Sequence, residues 1–285
     1  MTTKKIRFVT DSTSDLPQQV VERYQIGVVP CFVNFGGKSY SDDGKELTRE
    51  SFYEQMPSIR PMATTAAPPP GLAERIIDET FVGADHLIII TAPAKLSGIH
   101  NAMRLGSSKL PQDKVTLIDG GTVSMALGWQ VITAAETAEA TGGDVDAVLK
   151  AIQAVRDNQR LYAALTTLEY LKHSGRVGWA AAGIGALLQI KPIIEVRDGD
   201  VISVARVRTF SRALDEMLEL VRNPGTIERI AILHANSEDA AQQFRVQLGA
   251  DCPDDVYIVS ATPAIGTHTG PGIIGVAPVY KSWRS

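Results

Sequence analysis

A chain of 285 residues is long enough for one large domain or two domains of ordinary size, and its 44% hydrophobic content supplies ample core residues. Its net charge of −4, with no extended basic cluster, argues against nucleic acid or an anionic membrane surface as the main partner. The sequence shows no signal peptide and no membrane-spanning run, and Cys31 and Cys252 form no metal or redox motif. We therefore expect a cytoplasmic protein.

Strands and helices alternate through the first half of the chain. Apolar, β-branched runs predict strands at 6–10, 28–35, 86–91 and 115–118. Successive strand–helix units of this kind predict a parallel sheet that is covered by helices on both faces. The helical patterns lie at 17–24, 48–55, 72–81, 98–109, 123–140 and 144–159.

Two loop regions qualify this pattern. Ser14 or Asp15 is the expected N-cap of the first helix, which has Pro17 in its first turn. The stretch 56–71 is so rich in proline that we expect no regular element there.

The pattern changes after about residue 160. A strand at 161–165 and a short helix at 168–173 precede a predicted hairpin, 190–195 with 201–208, around an Asp-Gly turn. Helices at 212–221 and 237–248 and strands at 230–234, 256–259 and 273–280 complete the chain. We predict an α/β protein with two domains, a parallel one at 1–160 and a mixed, partly antiparallel one at 161–285. Loop 56–71 is expected to pack on the second domain.

One segment near the C-terminus combines a histidine with unusual backbone chemistry. Thr267 and Thr269 flank His268, and Pro271 and several glycines surround them. Glycine permits tight turns and proline fixes φ, so we predict a stiff loop that leads into a buried strand. Such a loop suits recognition of a small polar group, although a sharp turn with a hydrogen-bonded histidine would look the same.

Further polar residues directly follow predicted strands. Ligands of parallel α/β sheets bind at these strand ends, and Ser97 with Gly98 also offers free N–H groups for an anion. Helix capping is the alternative role for each of these polar residues. The residues are Asp11, Ser12, Thr64, Thr65, Ser97, Asp119 and Arg176.

The stretch 178–188 is apolar on all sides and consists largely of alanine and glycine. It predicts either very close helix packing or room for an apolar ligand. Arg176 stands just before it and needs an anionic partner, because a buried unpaired guanidinium is costly. The partner is either a protein carboxylate, from Glu169 or Glu195, or a ligand carboxylate.

The ordered set of motifs resembles the DegV family of bacterial fatty-acid-binding proteins over essentially the whole chain. The motifs are VTDSTSDL at 9–16, VVP at 28–30, the loop 61–71, LSG at 96–98, ID at 118–119, LEYLK at 168–172, GRV at 175–177, IKPI at 190–193 and HTGPG at 268–272.

This resemblance implies a two-domain carrier, an N-terminal parallel α/β/α sandwich and a C-terminal mixed α/β domain, with a long-chain acyl tail buried between them. It implies that the protein presents a fatty acid to an ATP-dependent kinase, which makes an acyl phosphate for phospholipid synthesis. It places the carboxylate at Thr65, at Ser97 with Gly98, at Arg176 and at His268, with Thr64 and Thr269 as neighbours. It implies no metal, no cofactor and no catalytic residues.

The chain also departs from the family pattern. The loop Thr-Ser-Gln-Pro-Ser-Pro of the family is replaced by TAAPPP at 65–70, and IHN at 99–101 replaces Thr-Tyr-Gln. Gly120 stands where serine is usual. These changes imply a less polar head-group shell or a different surface toward the kinase.

Two other functions remain open from the residues alone. One is a hydrolase or transferase that uses Asp11, Ser97 and His268, and the other is a regulatory protein with an incidental lipid. The chain contains no nucleophile elbow, phosphate-binding loop or dinucleotide fingerprint, and its five histidines lack metal-ligand spacing.

Overall fold

The computed structural model describes residues 4–177 and 190–284, and a parallel four-stranded sheet forms its first layer. The strand order is β2-β1-β6-β7, and all neighbours are parallel. Leu87 to Ile90 are fully buried, as expected for a central strand covered on both faces. The strands are β1 (Ile6–Asp11), β2 (Gly27–Val29), β6 (His86–Thr91) and β7 (Val115–Asp119).

A small antiparallel sheet, ordered β4-β3-β5, stands apart from the parallel sheet. It contains β3 (Phe32–Phe35), β4 (Lys38–Ser41) and β5 (Thr64–Ala66). The single strand predicted at 28–35 is therefore wrong: Pro30, which has no N–H to donate, separates β2 from β3. The prediction that 56–71 holds no regular element is also wrong, because the proline-free stretch 64–66 pairs with β3.

A mixed six-stranded sheet occupies the second half of the chain, with the order β10-β9-β8-β13-β11-β12. Only β11 and β12 are parallel neighbours in it, and the predicted hairpin is formed by β9 and β10. The strands are β8 (Tyr162–Ala164), β9 (Lys191–Arg197), β10 (Asp200–Val207), β11 (Ile227–His234), β12 (Val256–Ser260) and β13 (Ile274–Tyr280). The predicted α/β class, with one parallel and one mixed sheet, is confirmed.

Helices cover both large sheets. We number the described helices α1 (Gln18–Tyr24), α2 (Arg49–Gln55), α3 (Pro70–Phe81), α4 (Ile99–Gly106), α5 (Ser124–Thr141), α6 (Val145–Asp157), α7 (Glu169–Ser174), α8 (Phe210–Arg222), α9 (Glu238–Leu248) and α10 (Pro263–Thr269).

Helix α5 lies between the two large sheets and contacts β1, β6 and β13. Its residues from Ser124 to Ala135 are all buried, which explains why this part of its sequence carries no charged residue. The indole N–H of Trp129 donates to the carbonyl of Ala277 on β13, at 2.9 Å. One core therefore joins the two halves of the chain, and the domain boundary at residue 160 stays a prediction.

Two local predictions fail for identifiable reasons. The loop predicted around His268 is helix α10, which has Pro263 in its first turn and ends at Gly270 with a φ of 81°. The predicted N-cap of α1 is also wrong, because Pro17 occupies that position and makes no side-chain cap bond. Asp15 instead adopts a left-handed conformation, with a φ of 53°, and binds elsewhere.

Candidate functional site

A cavity of about 150 Å³ lies where the ends of β1 and β6, strand β5, helix α10 and the hairpin β9–β10 meet. That volume is about ten times what one buried water needs. Its wall is mostly apolar, with Leu96, Ile194 and Val196 among the contributors. The polar residues that line it are Thr13, Thr65, Ser97, Arg176, His268 and Thr269.

Thr65 and His268 meet in the wall of this cavity. Strand β5 carries Thr65 and the last turn of α10 carries His268, and 2.9 Å separates Thr65 Oγ1 from His268 Nε2. Burial, with a smaller contribution from the positive charge of Arg176, lowers the pKa of His268 to about 4. The imidazole is therefore neutral near pH 7, with one N–H donor and one bare nitrogen. Its Nδ1 is buried without a partner among the described residues.

Ser97 and Gly98 form another part of the wall, at the start of α4. Gly98 is the N-cap of that helix, and Ser97 Oγ accepts a hydrogen bond from the N–H of Ile99 at 3.3 Å. Ser97 thus has the capping role that the sequence left open, yet it also lines the cavity. His100, by contrast, lies 2.9 Å from Thr91 through Nδ1 and Oγ1 and is not among the lining residues.

Arg176 lines the cavity from an exposed position just after α7. Its guanidinium donates to the carbonyl of Ser174, and it forms no ion pair with a carboxylate in the described part of the chain. Of the alternative partners that the sequence left open, Glu195 is not bonded to Arg176. Glu195 lies 3.6 Å from both Arg160 and Arg197, since on β9 it faces away from the cavity that its neighbour Val196 lines.

The two neighbouring threonines of the predicted site differ. Thr269 lines the cavity, and its hydroxyl donates to the carbonyl of Ile265 at 3.2 Å. Thr64 is exposed and is not among the lining residues, so the structure does not bring it to the site. The reason is the alternation of β5, in which Thr64 and Thr65 point to opposite faces.

Asp11 supports the cavity from behind rather than lining it. One carboxylate oxygen accepts from Thr13 N–H at 3.0 Å and from the Thr13 hydroxyl, and the other accepts from Ala92 N–H at 2.8 Å. Burial raises the pKa of Asp11. Thr13 and Ala92 both line the cavity, and sequence reasoning missed them. The only available signal for Thr13 was its place in the polar cluster that ends β1.

The hydrogen bonds do not connect Asp11, Ser97 and His268, the residues of the hydrolase or transferase alternative. Asp11 binds Thr13 and Ala92, Ser97 caps α4, and His268 binds Thr65. A nucleophile, its base and an orienting acid would be hydrogen-bonded in series. Within the described residues no group of three or more His, Cys, Asp or Glu side chains could hold a metal ion.

Two remaining predictions have different outcomes. Asp119, also singled out after a strand, accepts from the N–H groups of Ala94 and Gly121 and is not a lining residue of the cavity. The small-residue segment 178–188 lies outside the described residues.

A partly open, mostly apolar cavity with a few convergent polar groups is typical of proteins that bind small molecules with one polar end. A family model described as "Uncharacterised protein, DegV family" matches residues 5–281. The chain belongs to the DegV family, as its motifs predicted. Among the described helices, none is both long and apolar enough to cross a bilayer.

Relatives and solved structures agree with this assignment. A DegV domain-containing protein of Streptomyces coelicolor is 33% identical over 96% of this chain and 98% of its own length. A DegV family protein of Thermus thermophilus, described as binding fatty acid, is 32% identical with a TM-score of 0.88, over 97% of this chain and 99% of that one. DegV of Bacillus subtilis, described as a fatty acid binding protein, is 27% identical with a TM-score of 0.85, over 98% and 100% of the two chains.

Proposed function

We propose that this protein binds a long-chain fatty acid, with the tail entering the apolar cavity and the carboxylate beside Thr65, Ser97, Arg176 and His268. We further propose that it presents this carboxylate to an ATP-dependent kinase for acyl phosphate formation. The observation that carries the proposal is the neutral, half-buried His268 bonded to Thr65 at the polar part of an apolar cavity. The fatty acid binding described for the Thermus and Bacillus relatives supports it.

Burial of the tail supplies most of the binding free energy. Each methylene contributes roughly 0.8 kcal/mol, so a long acyl chain gains on the order of 10 kcal/mol before the costs of association. The polar groups then mainly fix the orientation of the acid and discriminate it from neutral lipids.

The hydrogen-bond roles follow from the neutral imidazole. Its single N–H belongs on Nε2, which has a partner in Thr65, because a buried donor without a partner is rarer than a buried acceptor without one. Thr65 Oγ1 then accepts from His268 and keeps its own proton to donate to the carboxylate. The charge of Arg176 favours the ionised acid, and that carboxylate is the nucleophile that a kinase needs.

Analysis of purified protein for bound lipid tests the binding. We expect one fatty acid for each protein molecule after expression in a bacterial host, by native mass spectrometry and lipid extraction. A protein that elutes empty and does not bind added palmitate would contradict the proposal. Ester turnover by the empty protein would favour the hydrolase alternative instead.

The presentation step has its own test. Ser97→Ala and Arg176→Ala are expected to lower acyl phosphate formation by an added bacterial fatty acid kinase more than they lower lipid retention. The reason is that the tail retains the lipid while the polar groups orient the carboxylate. Complete loss of lipid from both variants would show that the head group, not the tail, dominates binding. Unchanged acyl phosphate formation would contradict the presentation role.

A further inference from the structure

The N-terminal turn of helix α10 is held by side chains that lie more than 200 residues earlier in the chain. The first N–H groups of a helix have no partner within it. Here Thr262 N–H donates to Asp15 at 2.8 Å and Ala264 N–H donates to Asp42 at 3.4 Å. Both carboxylates are buried. The second oxygen of Asp15 accepts from the Ser124 hydroxyl, and the second oxygen of Asp42 accepts from the Ser12 hydroxyl.

Tyr53 of α2 holds the same turn from another side. Its hydroxyl donates to the carbonyls of Ala261, at 3.0 Å, and of Thr262, at 3.3 Å. Its ring lies so close to Gly266 that a Cβ there would overlap it. Tyr53 is 2% exposed, so these contacts are made away from water.

In their ionised form, these buried carboxylates contribute little to the stability of the fold. Burial raises the pKa of Asp15, and it raises the pKa of Asp42 to about 6, which means that their ionisation is disfavoured in the folded protein. The guanidinium of Arg49, bonded to the carbonyl of Ser260, only partly offsets this cost. A buried ionisable group that costs stability when charged points to a role other than stability.

We propose that Asp15, Asp42 and Tyr53 are positioning residues that set the place of His268 in the fatty acid site through the N-terminal turn of α10. Ala264 and His268 are four residues apart, so they lie on the same face of the helix, about 6 Å apart along its axis. Both line the cavity. A shift of the N-terminal turn therefore moves the imidazole relative to Thr65. This inference rests on the proposed fatty acid binding.

The preference for palmitate over methyl palmitate measures this positioning, because the two ligands share a tail and differ in the head group. We expect Asp42→Ala to lower that preference about tenfold, a loss of the size that one buried hydrogen bond supplies. Asp42→Asn, which keeps an oxygen acceptor, should retain the preference. Asp43→Ala is the matched control, since Asp43 is an exposed neighbour with Lys45 as its partner.

A double-substitution cycle separates positioning from a general loss of structure. If Asp42 acts through His268, adding Asp42→Ala to His268→Ala should cause no further loss of preference. Additive losses would overturn the proposal. If Asp42→Ala does not fold, Tyr53→Phe replaces it in the cycle, with an expected loss of about threefold. Tyr280→Phe is its control, because the buried Tyr280 hydroxyl at the end of β13 donates to the carbonyl of Val221 in α8.

The two proposals fail in different ways. A wild-type protein that binds neither palmitate nor its ester contradicts the proposed function. A wild-type protein that prefers palmitate, together with Asp42→Ala and Tyr53→Phe variants that prefer it equally, contradicts the positioning role alone.

Discussion

Titratable groups are buried at both ends of α10, and burial shifts their pKa values in opposite directions. At the N-terminal end, burial raises the pKa of Asp15 and Asp42. At the C-terminal end, burial lowers the pKa of His268 to about 4. Desolvation disfavours charge in both places. The helix is therefore held by carboxylate acceptors at one end, and at the other end it carries a neutral imidazole that bonds Thr65 in the cavity wall.

Gly266→Ala should displace both ends of α10 together and has the largest expected effect on stability. The new methyl group would overlap the Tyr53 ring, so we expect a loss of about 3 kcal/mol in the free energy of unfolding, as for an overpacked core. Urea denaturation measures this loss. Gly71→Ala in α3 is the control, because a Cβ there has no heavy atom within 4 Å, and it should not destabilise. An equal response of both variants would show that α10 is not pinned by Tyr53.

The pH dependence of stability in the Asp42→Asn variant tests the N-terminal end of α10. The pKa of Asp42 is about 6 when folded against 3.8 normally, so between these values the folded protein binds more protons than the unfolded chain. The carboxyl therefore lowers stability as pH rises, and asparagine has no such effect. Relative to wild type, the variant should gain roughly 1–3 kcal/mol in the free energy of unfolding between about pH 4 and pH 7. A pH-independent difference would contradict the buried, ionising Asp42.

His268→Gln tests the C-terminal end and should respond with the opposite sign. The pKa of His268 is about 4 when folded against 6.5 normally, so below pH 6.5 the unfolded chain takes up a proton first. Wild-type stability then falls as pH falls toward 4, and glutamine removes that loss. Relative to wild type, the variant should gain roughly 1–3 kcal/mol on going from about pH 7 to pH 4. Urea titrations at several pH values would measure it, and a gain in the other direction would contradict a neutral imidazole.

Thr65→Val tests the proposed contact of Thr65 with the carboxylate, next to the C-terminal end of α10, and has the smallest expected effect. It removes the hydroxyl that we propose as the carboxylate donor while it keeps the shape of the side chain. The preference for palmitate over methyl palmitate should fall by about 1 kcal/mol, or roughly fivefold. Competition binding with a fluorescent fatty acid would measure it. Thr64→Val, on the exposed face of the same strand, should change nothing.

Strand periodicity and strand–helix alternation were sufficient to predict the parallel sheet, because β6 has a buried, apolar centre and both β6 and β7 are followed by clear turn signals. They were insufficient for α10, whose glycines and threonines look like a loop and become helical against Tyr53. The contact between Asp42 and Ala264 spans 222 residues, and no local pattern in the sequence reports it.

The candidate site was predictable in part. Motif order pointed to Thr65, Ser97, Arg176 and His268, and all of them line one cavity. The choice between Thr64 and Thr65 needed the register of β5, which the proline-rich surroundings hid. The choice of partner for Arg176 needed the orientation of Glu195 on β9.

Helix α5 has a consequence for any attempt to divide this molecule. This helix packs on the parallel sheet on one side and contacts β13 on the other, through Trp129 and Ala277, so both halves of the chain bury it. A fragment cut near residue 160 would expose the apolar side chains of α5 to water and tend to aggregate. The intact chain should instead melt in a single cooperative transition, and a fatty acid bound as proposed would raise the melting temperature of both halves at once.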